Sequence, residues 1–94
     1  MSAFEAFSVR QIPEAGFYSA TEQYWLLRTS ADWKLHEDGG WLEVGGPGVD
    51  GISFAVKKEE EGIFAYYPID REFVWKAKDG ASLISGWLDG SITV

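Results

Sequence analysis

The densest alternation of apolar and polar positions in this chain runs from residue 52 to residue 76. It contains three short runs, 52–57, 63–67 and 73–75, rich in β-branched and aromatic residues. A period of two with this composition is typical of β-strands. The charged segment 58–62 ends in glycine and the segment 68–70 begins with proline, and both are typical of turns. The pattern therefore predicts a three-stranded antiparallel meander.

A second alternating segment covers residues 33–44. Trp33 and Leu35 alternate with polar residues before an Asp-Gly-Gly sequence at 38–40, and Leu42 and Val44 alternate after it. Asp-Gly and Gly-Gly pairs supply the positive φ angles of tight hairpin turns. We predict a hairpin here, separated from the meander by a glycine-rich loop over 45–51.

Near the end of the chain the apolar period changes from two to that of a helix. The apolar positions fall at i, i+1, i+4 and i+5, which places them on one helical stripe: Leu83, Ile84, Trp87 and Leu88. Asp79 is a suitable N-cap, and Gly90 is suited to the left-handed position after the last turn. We expect this helix to bury its stripe against strands 52–57 and 63–67.

Two details of the C-terminal region follow from the same pattern. Gly86 lies inside the predicted helix, where glycine costs up to about 1 kcal/mol relative to alanine. We therefore expect a close approach of the helix to the sheet at Gly86. Residues 91–94 are strand-like and form either an edge strand or a packed tail.

The N-terminal third gives conflicting local signals. Phe4 and Phe7 have helical spacing, whereas Phe7 and Val9 have strand spacing, so residues 1–12 stay open between the two; 13–16 form a turn. Residues 19–22 have the form of a helix capping box, which favours a helix over about residues 20–29. The Tyr-Trp-Leu-Leu sequence inside this range would serve a buried strand equally well.

These elements predict one α+β domain over residues 1–94. Its twisted antiparallel sheet has about five strands, and the C-terminal helix packs on one face. Hydrophobic residues make up 46% of the chain and charged residues 24%, which argues against disorder. The aromatic share of 16% supplies the dense core that a chain of 94 residues needs.

Charge and cysteine content exclude several functional classes. The chain has no Cys, which excludes disulfides, Cys-ligated zinc and thiol chemistry and is compatible with the cytoplasm, where we place it. No apolar run approaches the ~20 residues of a membrane span, and no signal-peptide pattern is present. The net charge of −7 disfavours binding to nucleic acids and to anionic membranes and favours a basic protein partner.

Candidate catalytic chemistry is sparse. His36 lies beside Glu37 and Asp38, but adjacent strand residues point to opposite faces, so we interpret this segment as a solvated hairpin end. Asp70 and Glu72 share a strand face near a proline turn and are interpreted as a surface corner. We therefore expect no enzyme activity, no metal and no cofactor. The alternative is a small ligand-binding protein or hydrolase that uses His36.

The order of segments from Trp41 onward resembles a known family. It runs Trp-Leu-Glu-Val-Gly, a glycine-rich loop ending Val-Asp-Gly-Ile-Ser-Phe, a charged turn, Gly-Ile-Phe-Ala-Tyr-Tyr, Asp-Arg-Glu-Phe and the terminal Ala-Ser-Leu-Ile-Ser-Gly-Trp-Leu. This order is similar to the C-terminal half of the SUKH superfamily of toxin-immunity proteins. The resemblance implies an α+β fold and a protein that neutralises a toxin by binding it.

Acidic and aromatic residues of the meander suggest where such a partner would bind. Acidic residues at turns can form a charged rim, and large aromatic side chains can form the apolar centre of an interface. The candidate partner-binding residues are Glu59, Glu60, Glu61, Tyr66, Tyr67, Asp70, Glu72 and Trp75. A homodimeric structural protein, with an exposed edge strand paired across a two-fold axis, is the alternative. The sequence leaves both a monomer and a homodimer open.

Overall fold

The computed structural model describes residues 12–13, 15–20, 23–36, 40–48, 51–58 and 60–94. Within them the chain forms seven strands followed by one α-helix, and a 3₁₀ turn at Ser30–Asp32 joins the second and third strands. The elements are β1 (Phe17–Ser19), β2 (Tyr24–Leu27), β3 (Lys34–His36), β4 (Trp41–Gly45), β5 (Ser53–Lys57), β6 (Ile63–Tyr67), β7 (Glu72–Ala77) and α1 (Gly80–Asp89). The α+β class is confirmed, and the strand number exceeds the expected five.

All strand pairs among the described residues are antiparallel, in the order β1-β2-β4-β5-β6-β7. β4 is the central element because β2 and β3 both pair with the same edge of it. β3 pairs along the first part of β4, from Lys34↔Glu43 to His36↔Trp41, and β2 joins at its end through Leu27↔Gly45. The predicted hairpin over 33–44 and the predicted meander over 52–76 are both confirmed.

The expected helix over residues 20–29 is wrong. Residues Tyr24–Leu27 form β2, in which Leu26 and Leu27 are both buried in the core. Gln23, just before the strand, has a φ of 54°, a left-handed conformation that no α-helix contains. The strand alternative for Tyr-Trp-Leu-Leu therefore holds, because burial on both sides of a strand outweighs the local helical signal. Thr21 and Glu22 of the capping box lie outside the described residues.

The start of the chain is described only from Ile12, which is buried in the core. The helix-or-strand question at Phe4, Phe7 and Val9 falls outside the described residues. The expected turn is present, since the Gly16 N–H donates to the Pro13 carbonyl over 3.0 Å. Among the described residues no helix combines the length and apolar character that crossing a membrane requires.

α1 closes the core over one face of the sheet. Asp79 caps it by accepting a 2.7 Å hydrogen bond from the Ser82 N–H, and Gly90 ends it with a φ of 84°, as expected. Leu83 is fully buried, and the rings of Trp87 and Phe54 meet edge to face with centroids 6.0 Å apart. The core beneath α1 is formed by buried residues of the N-terminal segment, five strands and α1: Ile12, Leu26, Leu27, Leu42, Val44, Phe54, Val56, Ile63, Ala77 and Leu83.

Two expectations about the helix stripe need correction. Leu88 is 62% exposed, because it lies about 140° around the helix axis from Leu83, at the margin of the buried face. Gly86 does approach another element closely, but that element is the C-terminal tail. A Cβ at Gly86 would lie 2.4 Å from Ile92 Cδ1, and the Ile92 N–H donates to the Gly86 carbonyl over 2.9 Å. Residues 91–94 thus form a packed tail and no edge strand.

Candidate binding face

The sheet presents a cluster of rings on the face opposite α1. The Phe54–Trp87 contact shows that the even-numbered residues of β5 face α1. The odd-numbered residues of β5 therefore face the opposite side, together with the residues that pair with them in β6. The cross-strand pairs Tyr66↔Phe73 and Phe64↔Trp75 lie on that opposite side. The rings of Trp41, Tyr66 and Phe73 contact one another there, with centroids 4.7 to 5.5 Å apart. We call this set the aromatic face: His36, Trp41, Phe64, Tyr66, Phe73 and Trp75.

Trp41 is the centre of the aromatic face. Its indole is only 7% exposed although it lies on the face away from the core. The His36 ring stacks on it, with centroids 3.9 Å apart and planes 4° from parallel, while Tyr66 and Phe73 pack at tilted and edge-on angles. This arrangement buries a large apolar surface outside the main core and fixes the orientation of every ring that surrounds it.

A carboxylate lies beside this stack. Glu43 Oε2 accepts a 2.6 Å hydrogen bond from Arg28 Nη1, and Glu43 Oε1 lies 3.0 Å from His36 Nε2. Burial of the carboxyl favours its neutral form, but hydrogen bonds and charge from Arg28 and His36 outweigh burial and lower the pKa of Glu43. The carboxylate thus joins the β2–β3 connection to the ring that covers Trp41.

Backbone contacts hold Arg28 in position for this role. The Arg28 N–H donates to the Val44 carbonyl over 2.8 Å, and the Arg28 carbonyl accepts a 3.1 Å hydrogen bond from Trp33 Nε1. The interpretation of His36 as a solvated hairpin end is therefore wrong, because its ring is stacked and its Nε2 is engaged. Glu37 and Asp38 lie outside the described residues.

Lys57 joins the aromatic face to an acidic turn. Its Nζ lies 5.0 Å from the Phe73 ring centroid and 5.3 Å from that of Phe64, within the range of a cation–π contact. The same Nζ lies 3.2 Å from Glu60 Oε2 in the turn between β5 and β6. The rings of Phe64 and Phe73 thus already contact the ammonium group of Lys57, which forms an ion pair with Glu60.

The aromatic face contains an open concavity of about 1010 Å³. His36, Trp41, Tyr66 and Phe73 supply its rings, and Glu43 and Arg71 its charged groups. Arg71 adopts a φ of 52°, a left-handed conformation that is unusual for a residue with a side chain. The concavity therefore combines a broad aromatic surface with one charge of each sign, a composition typical of protein-binding surfaces.

The sequence-predicted partner residues divide between several places. Tyr66 and Trp75 lie on the aromatic face, and Trp75 is 55% exposed there. Tyr67 pairs with Glu72, and strand alternation places both on the side of α1. Glu59 lies outside the described residues.

The acidic turns lie at two opposite ends of the sheet. Glu60 and Glu61 are exposed in the β5–β6 turn, which adjoins the β3–β4 turn through the 3.0 Å hydrogen bond from the Lys58 N–H to the Gly40 carbonyl. Asp70 is exposed in the β6–β7 turn at the other end. The aromatic face lies between these two turns, which we call the acidic ends for their exposed carboxylates; the second turn also carries the exposed Arg71.

The structure adds residues to this site that the sequence pattern did not indicate: Arg28, Trp41, Glu43 and Phe73. His36 was indicated only as the residue of a possible ligand-binding protein or hydrolase. Alternation placed Trp41 and Phe73 on strands but did not show that their rings meet across β5 and β6. Within the described residues, no three His, Asp or Glu side chains are grouped as metal ligands would be. No protein-family model, no curated protein and no solved structure matches this chain.

Proposed function

We propose that this chain is a cytoplasmic binding protein that docks a basic protein partner on its aromatic face. The observation that carries this proposal is the position of that face, opposite α1 and between two acidic ends. Interfaces concentrate their binding energy in central aromatic residues surrounded by a polar rim. The exposed Trp75 and the half-buried Tyr66 supply aromatic rings, and Glu60, Glu61 and Asp70 supply the rim.

The charge of the chain supports a basic partner. The net charge of −7 attracts a positively charged protein and accelerates its encounter. Two cations near the aromatic face are already paired with carboxylates of the chain itself, Arg28 with Glu43 and Lys57 with Glu60. Glu61 and Asp70 are exposed and make no ion pair with a described residue, so they are available to the partner.

The biological role that we propose is neutralisation of a toxin. It rests on the resemblance of the segment from Trp41 onward to the SUKH superfamily of immunity proteins. An immunity protein acts by occupying a toxin and needs no catalytic group of its own. In keeping with this role, we propose no enzymatic activity, and His36 serves to cover Trp41 and to bond Glu43.

The test uses the protein encoded next to this chain in its genome. We expect that protein to be basic, to kill cells when expressed alone and to be harmless when this chain is coexpressed. Its purified form should bind this chain, and Trp75→Ala should weaken that binding by about 10- to 100-fold, as loss of a large aromatic interface residue can.

Trp25→Ala is the matched control. Trp25 is also exposed, at 43%, but it lies on the β1–β2 hairpin in contact with Tyr18 and outside the aromatic face. We expect its replacement to change the affinity less than about threefold. Equal losses for both variants would show that the aromatic face is not the docking site. A neighbouring protein that neither kills cells nor binds this chain would contradict the immunity role.

A further inference from the structure

The longest strand of the sheet has a free edge in the part of the chain that the structure describes. β7 is six residues long and pairs only with β6, whereas β1 at the other end of the strand order has three residues. Proteins protect sheet edges by keeping them short, charged or covered, because the unpaired backbone groups bind a further strand. A strand of six residues leaves an edge long enough to bind a further strand.

We propose that β7 pairs with β7 of a second copy of this chain, antiparallel and about a two-fold axis through Val74. In this register Glu72 lies opposite Lys76 of the second copy, and Phe73 lies opposite Trp75 of the second copy. The two-fold axis repeats each contact, so the interface contains two opposite-charge pairs and two aromatic pairs. Both kinds of cross-strand pair stabilise antiparallel sheets.

Strand alternation makes these partners compatible. Glu72 and Val74 project toward the side of α1, and Phe73 and Trp75 project toward the aromatic face. The register shifts after Trp75, where Lys76 and Ala77 together oppose Ile63, a residue of the core beneath α1. Lys76 therefore lies on the side of Glu72, and each residue meets a partner on its own side. Among the described residues neither Glu72 nor Lys76 makes an ion pair within its own chain. Each is therefore available to its counterpart.

The charges select this register over its neighbours. A two-fold axis perpendicular to the sheet leaves each side chain on its own face. Directly opposite residues also share a face, so the axis must lie at a residue of β7 and not between two residues. An axis at Phe73 would place Glu72 opposite Val74, and an axis at Trp75 would place Lys76 opposite Val74. Within β7, only the axis at Val74 opposes a carboxylate to an ammonium group. The resulting continuous sheet carries the aromatic faces of both copies on one side.

A charge-exchange experiment tests the pairing by analytical ultracentrifugation. We expect wild type to form a dimer at about 100 µM, because a short strand pair gives only a weak interface. Glu72→Lys and Lys76→Glu should each raise the dimer dissociation constant by about tenfold or more, since each places like charges opposite one another twice. The double variant restores opposite charges and should recover most of the dimer. Monomeric wild type, or a double variant as weak as the singles, would overturn the proposal.

Cross-linking tests the register directly. The chain has no Cys, so Val74→Cys introduces a single thiol at the proposed axis. Residues directly opposite in antiparallel strands have Cα atoms about 4.5–5.5 Å apart, within the range of a disulfide. We expect Val74→Cys to form a covalent dimer under mild oxidation, and the control Ile69→Cys, at a position 90% exposed in the β6–β7 turn, to form far less. Equal cross-linking of both variants would show that the contact is not centred on Val74.

Discussion

Glu43 is the polar residue that connects Arg28 to the aromatic face. It binds the Arg28 guanidinium with one oxygen and the His36 ring with the other, and the His36 ring covers Trp41. Loss of one partner leaves a partly buried charge without compensation, which costs more than the net stability of the intact bond. A single carboxylate therefore links the β2–β3 connection to the binding surface.

We expect Glu43→Gln to lower the free energy of unfolding by about 1–2 kcal/mol at neutral pH, because Arg28 and His36 lose their charged acceptor. The pKa of Glu43 lies below its usual value of 4.5, so its stabilising contribution is complete above that value and is lost as the pH falls through the folded-state pKa. The difference in Tm between wild type and variant should accordingly shrink as the pH is lowered below 4.5.

Glu60→Gln is the control for this experiment, because Glu60 belongs to an exposed pair with Lys57 and should contribute less than about 0.5 kcal/mol. Thermal unfolding followed by circular dichroism over a series of pH values measures both variants. A Glu43→Gln variant whose Tm difference from wild type is independent of pH would contradict the role assigned to this carboxylate.

Gly45 lies where the backbones of β2 and β4 approach each other closely. A Cβ there would lie 2.1 Å from the Leu26 carbonyl oxygen, and β2 cannot withdraw without leaving β4. We expect Gly45→Ala to lower the free energy of unfolding by about 1–3 kcal/mol or more, as overpacking does. Chemical denaturation measures this change in the free energy of unfolding.

Gly40→Ala provides the contrast to Gly45→Ala. Gly40 has a positive φ of 61°, but the nearest atom to its Cβ, Lys58 Cβ, is 3.9 Å away. Its replacement should cost only the conformational preference of about 1–2 kcal/mol. The opposite order of the two free energies would show that the contact between β2 and β4 is loose.

At the scale of elements, the apolar stripe of α1 is buried at one position and exposed at another. Leu83 is fully buried and Leu88 is 62% exposed, although both are leucines five residues apart. We expect Leu83→Ala to cost about 2–5 kcal/mol and Leu88→Ala less than about 0.5 kcal/mol. Urea denaturation of the two variants checks this, and a comparable loss at Leu88 would mean that another surface covers it.

Some of these elements could be predicted from the sequence and others could not. The hairpin and the meander were predictable because their alternation and their turn residues lie close together in the chain. β2 was not, because Tyr-Trp-Leu-Leu fits both periods and its burial depends on contact with β4, 18 residues away at Leu27↔Gly45. The Arg28–Glu43–His36 cluster depends on the same strand pairing, and local patterns do not encode it.

At the scale of the molecule, the acidic ends should act mainly on the rate of association. Exposed charges attract a basic partner over a distance that salt shortens, so the on-rate should fall steeply between about 50 and 500 mM salt. Replacing Glu59, Glu60 and Glu61 together with Gln should slow association and weaken its dependence on salt, without changing the Tm. Stopped-flow measurements with the neighbouring protein test this, and a salt-independent on-rate would contradict electrostatic attraction.

The shared edge of β4 has a consequence for the order of folding. Among the described residues, β3 to β7 pair with one another only as neighbours in the chain. β2 instead reaches past β3 to β4, through Leu27↔Gly45 and the hydrogen bonds Arg28 N–H to Val44 and Gly46 N–H to Leu26. Contacts between distant segments form late because closing the loop costs entropy first. We expect the β1–β2 hairpin to dock last and to open first. Native-state hydrogen exchange should show its amides exchanging through a smaller opening free energy than those of β4 to β6, and the Arg28–Glu43 bond should break in that same event.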